Sequence, residues 1–110
     1  MKTTTISLTG SGAGVTNTDP VRVNWRADLT ALQIDTDGST TGFTAQYTLT
    51  PPDGYASAAA WAAAAVWSEG IASTTADAVG TVAGPIHGVR LQADANGTDT
   101  GALTVIQSSV

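Results

Sequence analysis

The side chains that could carry acid–base chemistry are few in this chain and lie apart in the sequence. His87 is the only histidine and Glu69 the only glutamate. General acid–base catalysis requires groups that the fold holds together, and no motif pairs either residue with a serine or a carboxylate. Cysteine is absent, which excludes a disulfide framework and a thiolate metal site. The sequence therefore predicts a protein that is not an enzyme, with no catalytic residue to assign.

Two acidic loops have the oxygen ligands that calcium prefers. The stretch "ADANGTD" offers Asp94, Asn96 and Asp99, and "DTDGS" occupies 35–39. Neither stretch has the helix–loop–helix pattern or the bidentate glutamate of a calcium loop. Asn-Gly is instead typical of a hairpin turn. We therefore expect turns at both places, with no bound metal and no cofactor.

The aromatic side chains raise the question of sugar stacking. Trp25 and Tyr47 follow the inward phase of predicted strands, so we expect them in the core. Tyr55, Trp61 and Trp67 remain as a possible platform for a carbohydrate. A carbohydrate-binding module is therefore an alternative function.

The charge pattern excludes several partners. Charged residues make up 12% of the chain, against about 25% in an average domain. The net charge is −5 and the four basic residues are scattered, whereas nucleic-acid binding needs them clustered. The N-terminal stretch lacks the apolar run of a secretory signal, and the alanine-rich stretch is too short to cross a bilayer. We expect neither nucleic acid nor membrane as a partner.

Most of the chain alternates apolar and polar residues with the period of a β-strand. The clearest examples are "TISLT", "VRVNW", "LTALQI", "FTAQYTL", "GVRLQA" and "GALTVIQ". In the last of these, both faces are partly apolar, which indicates a central strand or one covered on both sides. Gly, Pro, Asn and Asp clusters separate the runs. Seven or eight short strands predict an all-β antiparallel sandwich or small barrel, formed by a single domain over 1–110.

The segment 55–67, "YASAAAWAAAAVW", interrupts this pattern with eight alanines. Alanine has the highest helix propensity, so we predict a short helix or loop here. Asp53 or Ser57 is the expected N-cap and Gly70 the expected end. The helix is expected to plug one open end of the sandwich with Trp61 or Trp67, or to form a contact between subunits.

Residues 40–108 resemble small virion structural proteins of tailed bacteriophages. The stretches that carry the resemblance are "TGFTAQYTLTPPD", "AVWSE", "TVAGPIHGVRLQADA" and "TGALTVIQ". The resemblance implies a jelly-roll-like sandwich that decorates or cements the head, with no catalytic residues. Arg90 corresponds to the strand arginine of that family, and we expect it to bridge to a carboxylate or to cover the outer face with its stem.

These observations together predict a capsid decoration protein of the virion, made in the host cytoplasm. Its expected partners are the major capsid protein and further copies of itself, in a trimer. The loops at 10–20 and 35–42 are predicted to contact the shell. The alternatives are the carbohydrate-binding module, placed on a virion surface or fibre, and a tail or neck component of the same fold. The residues predicted for the interface are Tyr55, Trp61, Val66, Trp67 and Arg90.

Overall fold

A computed structural model describes residues 2–36 and 39–107 and shows an all-β protein with one short helix in that part of the chain. The elements in chain order are β1 (Lys2–Thr9), β2 (Thr16–Asn17), β3 (Val21–Arg22), β4 (Leu29–Thr36), β5 (Phe43–Thr48), α1 (Ala58–Ala64), β6 (Trp67–Thr74), β7 (Ala78–Ala83), β8 (Gly88–Ala93) and β9 (Thr100–Gln107). No helical segment among the described residues has the length and apolar character needed to cross a bilayer.

The strands form two antiparallel sheets packed as a sandwich. The first sheet has the order β1-β9-β4-β7, and the second has the order β2-β8-β5-β6, with β3 also paired to β8. If β2 and β3 are counted as one interrupted strand, the pairs nest along the chain: β1 pairs with β9, β2 and β3 with β8, β4 with β7, and β5 with β6. This is a long hairpin ribbon rolled into two sheets, which is the jelly-roll arrangement. The predicted fold class is confirmed.

The core lies between the two sheets and follows the predicted alternation. Along β4, β8 and β9, every second side chain is buried, because successive side chains point to opposite faces. The inward residues predicted on three strands are all in the core; they are Leu32, Ile34, Val89, Leu91, Ala93, Leu103 and Val105. Strand β9 is central, as its two partly apolar faces indicated.

Two predicted core positions are wrong, and both lie just beyond the end of a strand. Trp25 is 51% exposed because β3 ends at Arg22 and the chain then turns at Asn24. The Asn24 side chain accepts a hydrogen bond from the backbone N–H of Arg26 at 3.0 Å, a typical asparagine turn. Leu49, which continues the alternation of β5, is exposed because β5 ends at Thr48. Tyr47 itself packs against the core.

The helix is shorter than the alanine-rich segment. Ser57 is its N-cap, and the Ser57 hydroxyl accepts the backbone N–H of Ala60 at 3.1 Å, so that part of the prediction is confirmed. The prediction that Gly70 ends the helix is wrong. Helix α1 ends at Ala64, and Gly70 lies within β6, where an added Cβ would stand 2.5 Å from Leu32 Cδ1 between the sheets.

The connection between β8 and β9 is tied to the loop before β5 through Asp99. The Asp99 carboxylate accepts hydrogen bonds of 3.0–3.2 Å from Ser39, Thr40 and Thr41. The predicted hairpin at Asn96-Gly97 is wrong, because β8 and β9 belong to different sheets and the segment links the two sheets; Gly97 nevertheless has the positive φ, 86°, of a turn glycine. Asp94 serves the turn by accepting the backbone N–H of Asn96 at 2.9 Å. Within the described part of the chain, no group of three His, Cys, Asp or Glu residues is placed to hold a metal.

These hydrogen bonds, chiefly those from Thr40, lower the pKa of the Asp99 carboxyl to about 2. The pKa in the unfolded chain is about 4, so the ionised form stabilises the fold. This contribution is complete above about pH 4 and is lost as the pH falls through about 2. We expect the free energy of unfolding to fall across this window, and to fall less in the Asp99→Asn variant. Urea unfolding at several pH values measures both slopes, with Asp53→Asn as a control for the lost charge. Equal slopes for Asp99→Asn and the unsubstituted protein would contradict the assignment.

Candidate interaction surface

Trp61 of the helix covers one end of the outer side of the second sheet. The Trp61 ring is 2% exposed and packs over Gly88, where its Cη2 and Cζ2 atoms occupy the space that a Cβ would need. Its indole N–H donates to the backbone carbonyl of Thr50 at 2.9 Å. Trp61 does not belong to the cluster between the sheets. Trp61 therefore does not seal the core between the sheets: its ring lies at one end of the second sheet, on the outer side.

Trp67 and Arg90 extend this cover beside the helix. The Trp67 and Trp61 rings are 6.4 Å apart, and the Trp67 indole N–H donates to the carbonyl of Ala62 at 3.0 Å. The guanidinium of Arg90 lies 4.2 Å from the centre of the Trp67 ring and donates to Gln46 at 2.6 Å. Burial lowers the pKa of Arg90. Arg90 thus lies on the outer face with its guanidinium over the Trp67 ring, and its recorded hydrogen-bond partner is the Gln46 amide and not a carboxylate.

The predicted interface residues therefore differ in what they present to solvent. Trp61 is enclosed within the protein, and Trp67 is half-buried under Arg90. Tyr55 and Val66 are exposed, together with the alanines of the helix that point away from the sheet. Tyr55, Trp61 and Trp67 do not form an open aromatic platform for a sugar, since the ring of Trp61 is enclosed.

The outer side of the first sheet has no such cover among the described residues. We call this outer side the uncovered sheet face. It consists of the outward-pointing residues of β1, β9, β4 and β7, which are Thr3, Thr5, Ser7, Thr9, Thr100, Ala102, Thr104, Ile106, Leu29, Ala31, Gln33, Asp35, Val79, Thr81 and Ala83. Of these fifteen, only Asp35 is charged. A soluble surface is typically about 25–35% charged, so this face carries little charge for a surface exposed to water.

The uncovered sheet face is concave at its centre. Ala31, Gln33, Val79, Thr104 and Ile106 line a hollow of about 360 Å³ between β4, β7 and β9. Val79 is 78% exposed and Leu29 is also exposed. Large exposed apolar side chains on a curved, nearly uncharged sheet are typical of an interaction site.

The predicted shell-contact loops adjoin this face at one end. Thr9 pairs with Thr100, and Thr36 pairs with Gly101, so β1, β4 and β9 meet the loops at 10–14 and 35–42 together. The backbone N–H of Gly10 donates to the carbonyl of Asp99 at 3.0 Å. Residues 37 and 38 of the second loop lie outside the described residues. The two loops and the uncovered sheet face can therefore contact the same partner.

The uncovered sheet face is the feature that sequence reasoning missed. The partly apolar outer side of "GALTVIQ" indicated part of it, but the face combines residues from four strands that are distant in sequence. Strand order is needed to see that they are neighbours. The residues considered for catalysis are not brought into an acid–base pair: His87 stacks on Trp25 at 6.1 Å, and Glu69 lies exposed on β6.

No family model and no curated protein matches this chain. Several solved structures are similar to it at low identity. A chain of the disulfide-linked pili that form Bacillus endospore appendages is 16% identical, with 94% of this chain and 82% of that chain covered and a TM-score of 0.45. The protein PirA is 17% identical, with 94% and 93% covered and a TM-score of 0.44. VP2 of the infectious bursal disease virus subviral particle is 13% identical with a TM-score of 0.40; 94% of this chain is covered, which spans 32% of the VP2 chain. Similarity at this level assigns the chain to no family.

Proposed function

We propose that this chain is a virion structural protein that decorates the head shell of a tailed bacteriophage and stabilises it through protein–protein contacts. The uncovered sheet face is the observation that carries the proposal. Trp61 of the helix covers one end of one outer side of the sandwich, and the other outer side presents a single charged residue, Asp35, among its described strand residues. The phage assignment itself is supported by the sequence resemblance over 40–108.

The composition of the uncovered sheet face favours a protein partner. A chain with a net charge of −5 repels other acidic surfaces at long range. When a face of Thr, Ala, Val and Ile residues is covered, few charged groups lose their contact with water. Each Å² of apolar surface that is buried contributes about 25 cal/mol to the free energy of binding. Binding through this face therefore avoids the desolvation of charges that most surfaces would require.

The size of the face explains why we propose an oligomer. Four strands spaced about 4.8 Å apart, with eight residues rising about 3.4 Å each, give a flat area of roughly 500 Å². Standard interfaces bury about 800 Å² on each partner. One uncovered sheet face, even with the loops beside it, therefore gives a weak contact. Several linked copies that bind together would raise the overall affinity without any new contact.

The proposed arrangement uses both outer sides of the sandwich. The uncovered sheet face contacts the major capsid protein together with residues 10–14 and 35–42 of the predicted shell-contact loops. Thr16 and Asn17 of the first loop belong to β2 in the second sheet and lie outside this contact. Tyr55, Val66 and the exposed alanines of the helix contact neighbouring copies in a trimer, and Trp61, Trp67 and Arg90 support that surface from behind. Residues 1–110 act as one unit, without catalysis, cofactor, nucleic acid or membrane.

Two matched valines test this arrangement. Val79 on the uncovered sheet face is 78% exposed, and Val66 beside the helix is 76% exposed. Heads assembled without this chain are mixed with the purified variant. We expect about tenfold or more less Val79→Lys protein to bind to them than unsubstituted protein, because the new charge would be buried unpaired. The bound protein is measured by sedimentation of the heads.

We expect Val66→Lys to shift the free protein from trimer to monomer in light scattering.

Head stability provides the control on the biological role. Heads without this chain should assemble but burst at a lower temperature than heads that carry it. Adding unsubstituted protein should raise the bursting temperature back to that of complete heads. If deletion leaves head stability unchanged and abolishes tail attachment, the tail or neck alternative replaces the decoration role. A monomer at all concentrations, or unchanged head binding by Val79→Lys, would contradict the arrangement.

A further inference from the structure

A second concave site lies at the opposite end of the sandwich from Asp99. It consists of two hollows around the chain reversal after β3 and the loop after β5. The first, of about 260 Å³, is lined by Arg22, Val23, Trp25, Pro52, Asp53 and His87. The second, of about 220 Å³, is lined by Pro20, Arg22, Pro52, Tyr55, Ala56, Ser57, Ala58 and Trp61. Because Arg22 and Pro52 line both, the hollows form one cleft, which we call the end cleft.

The end cleft has a preorganised aromatic wall. The Trp25 and His87 rings stack at 6.1 Å with 20° between their planes, and the Arg26 guanidinium lies 5.2 Å from the Trp25 ring. The turn that carries Trp25 is fixed by Gln107, a buried amide that accepts from Asn24 N–H at 2.8 Å and donates to the Asn24 carbonyl at 3.1 Å. Trp25 nevertheless remains 51% exposed. An exposed tryptophan on a turn whose backbone is fixed is suited to stacking against a ligand.

The charged groups of the end cleft are unusual for this chain. The whole sequence has four Lys and Arg residues and one histidine. Arg22 lines the cleft and Arg26 lies over its tryptophan, so two of the four Lys and Arg residues of an acidic protein lie here. Asp53 supplies a single carboxylate to the same hollow. Both Arg22 and Asp53 are exposed and accessible to a ligand.

These groups indicate the chemistry of a ligand. Aromatic rings favour a ligand with an apolar ring face, an arginine binds a carboxylate with two hydrogen bonds, and an aspartate accepts from hydroxyl groups. Each hollow is smaller than the roughly 300–1,000 Å³ of sites for drug-sized ligands. Each therefore suits one ring, and the cleft suits two linked rings. A ligand with ring faces, hydroxyls and a carboxylate is an acidic sugar.

We propose that the end cleft binds an acidic oligosaccharide. One ring lies against Trp25 and His87, its carboxylate pairs with Arg22, and its hydroxyls donate to Asp53. The second ring lies toward Tyr55. The aromatic residues differ from the platform considered from the sequence, because Trp61 and Trp67 are covered. Trp25 lies off the uncovered sheet face, so sugar binding does not depend on the proposed head contact.

Calorimetric titration with defined tetrasaccharides tests the proposal. The acidic probes are tetramers of galacturonic, mannuronic and sialic acid, and the neutral probe of equal length is cellotetraose. We expect saturable binding of at least one acidic probe and about tenfold weaker binding of cellotetraose. Trp25→Ala should weaken acidic-sugar binding by about tenfold, and Arg22→Gln by about 10- to 100-fold, as expected for a hydrogen bond to a charged group.

Matched variants separate this site from the proposed head contact. Val79→Lys should bind the acidic sugar like the unsubstituted protein, and Trp25→Ala should still bind heads. Thermal unfolding of Trp25→Ala confirms that the variant is folded. The proposal is overturned if none of the three acidic probes binds, if cellotetraose binds equally well, or if Trp25→Ala binds unchanged. Preferential binding of a short oligothymidine would also overturn it, in favour of a nucleic-acid ligand.

Discussion

Replacing Trp61 with alanine will lower the free energy of unfolding by about 3–5 kcal/mol, the range for deleting a large buried aromatic side chain. Single domains are stable by only about 5–15 kcal/mol, so the expected loss is a large share of the total. Trp61 is enclosed between α1 and the second sheet, where its ring fills the space above Gly88. Its removal also leaves the carbonyl of Thr50 without the indole donor. A seven-residue helix is not stable by itself in water, so α1 should separate from the sheet.

Urea unfolding of three variants resolves these contributions. Trp61→Phe keeps most of the ring packing but removes the indole N–H, and we expect a smaller loss than for Trp61→Ala. Trp67→Ala is a comparison at a half-buried tryptophan and should also cost less. Far-ultraviolet circular dichroism reports the helix. A loss below about 1 kcal/mol for Trp61→Ala would show that α1 is held to the sandwich by something other than this ring.

The alternation of apolar and polar residues was sufficient to predict the sandwich and most of its core. In "GVRLQA", a period of two fixes which side of the strand faces inward, because a shift by one residue would expose every apolar side chain. Val89, Leu91 and Ala93 accordingly lie in the core. The turn at Asn96-Gly97 was predictable for a local reason, since glycine adopts the positive φ that the turn requires.

The positions of Trp25 and the helix depended on information that is not local. The run "VRVNW" alternates correctly, but its strand ends after two residues because Asn24 forms a turn that Gln107 stabilises from 83 residues away in sequence. The alanine-rich segment was recognised as a helix from propensity alone. Where that helix lies depends on Gly88, which leaves room for Trp61 on the outer side of the second sheet.

The same limit applies to the candidate site. The uncovered sheet face requires β1, β4, β7 and β9 to be neighbours, and their order follows from the rolled hairpin and not from any one strand. The two outer sides of the sandwich then differ for a simple reason. The insertion between β5 and β6 supplies a helix to the second sheet, and no described segment does so for the first. We infer that the first sheet is covered by another protein when the chain functions.

Deleting the Phe43 side chain will destabilise the protein by about 3–5 kcal/mol, as much as any substitution in the core. Phe43 is fully buried, and its ring lies directly over Gly101 of β9. A Cβ at Gly101 would stand 2.9 Å from three atoms of that ring, closer than packed carbon atoms normally approach. Gly101→Ala should therefore also destabilise, by about 1–3 kcal/mol through overpacking. Urea unfolding measures both single variants.

The double variant Phe43→Ala/Gly101→Ala separates this contact from the general cost of changing a core. If the Gly101 methyl is unfavourable only because the Phe43 ring occupies its space, its cost should disappear once the ring is absent. We therefore expect a coupling free energy of about 1–3 kcal/mol, so that the double variant is more stable than the sum of the two losses predicts. Additive losses would mean that Gly101 is required by the backbone of β9 instead. Coupling would establish that glycine is present in β9 so that Phe43 can cross between the two sheets and close this end of the core.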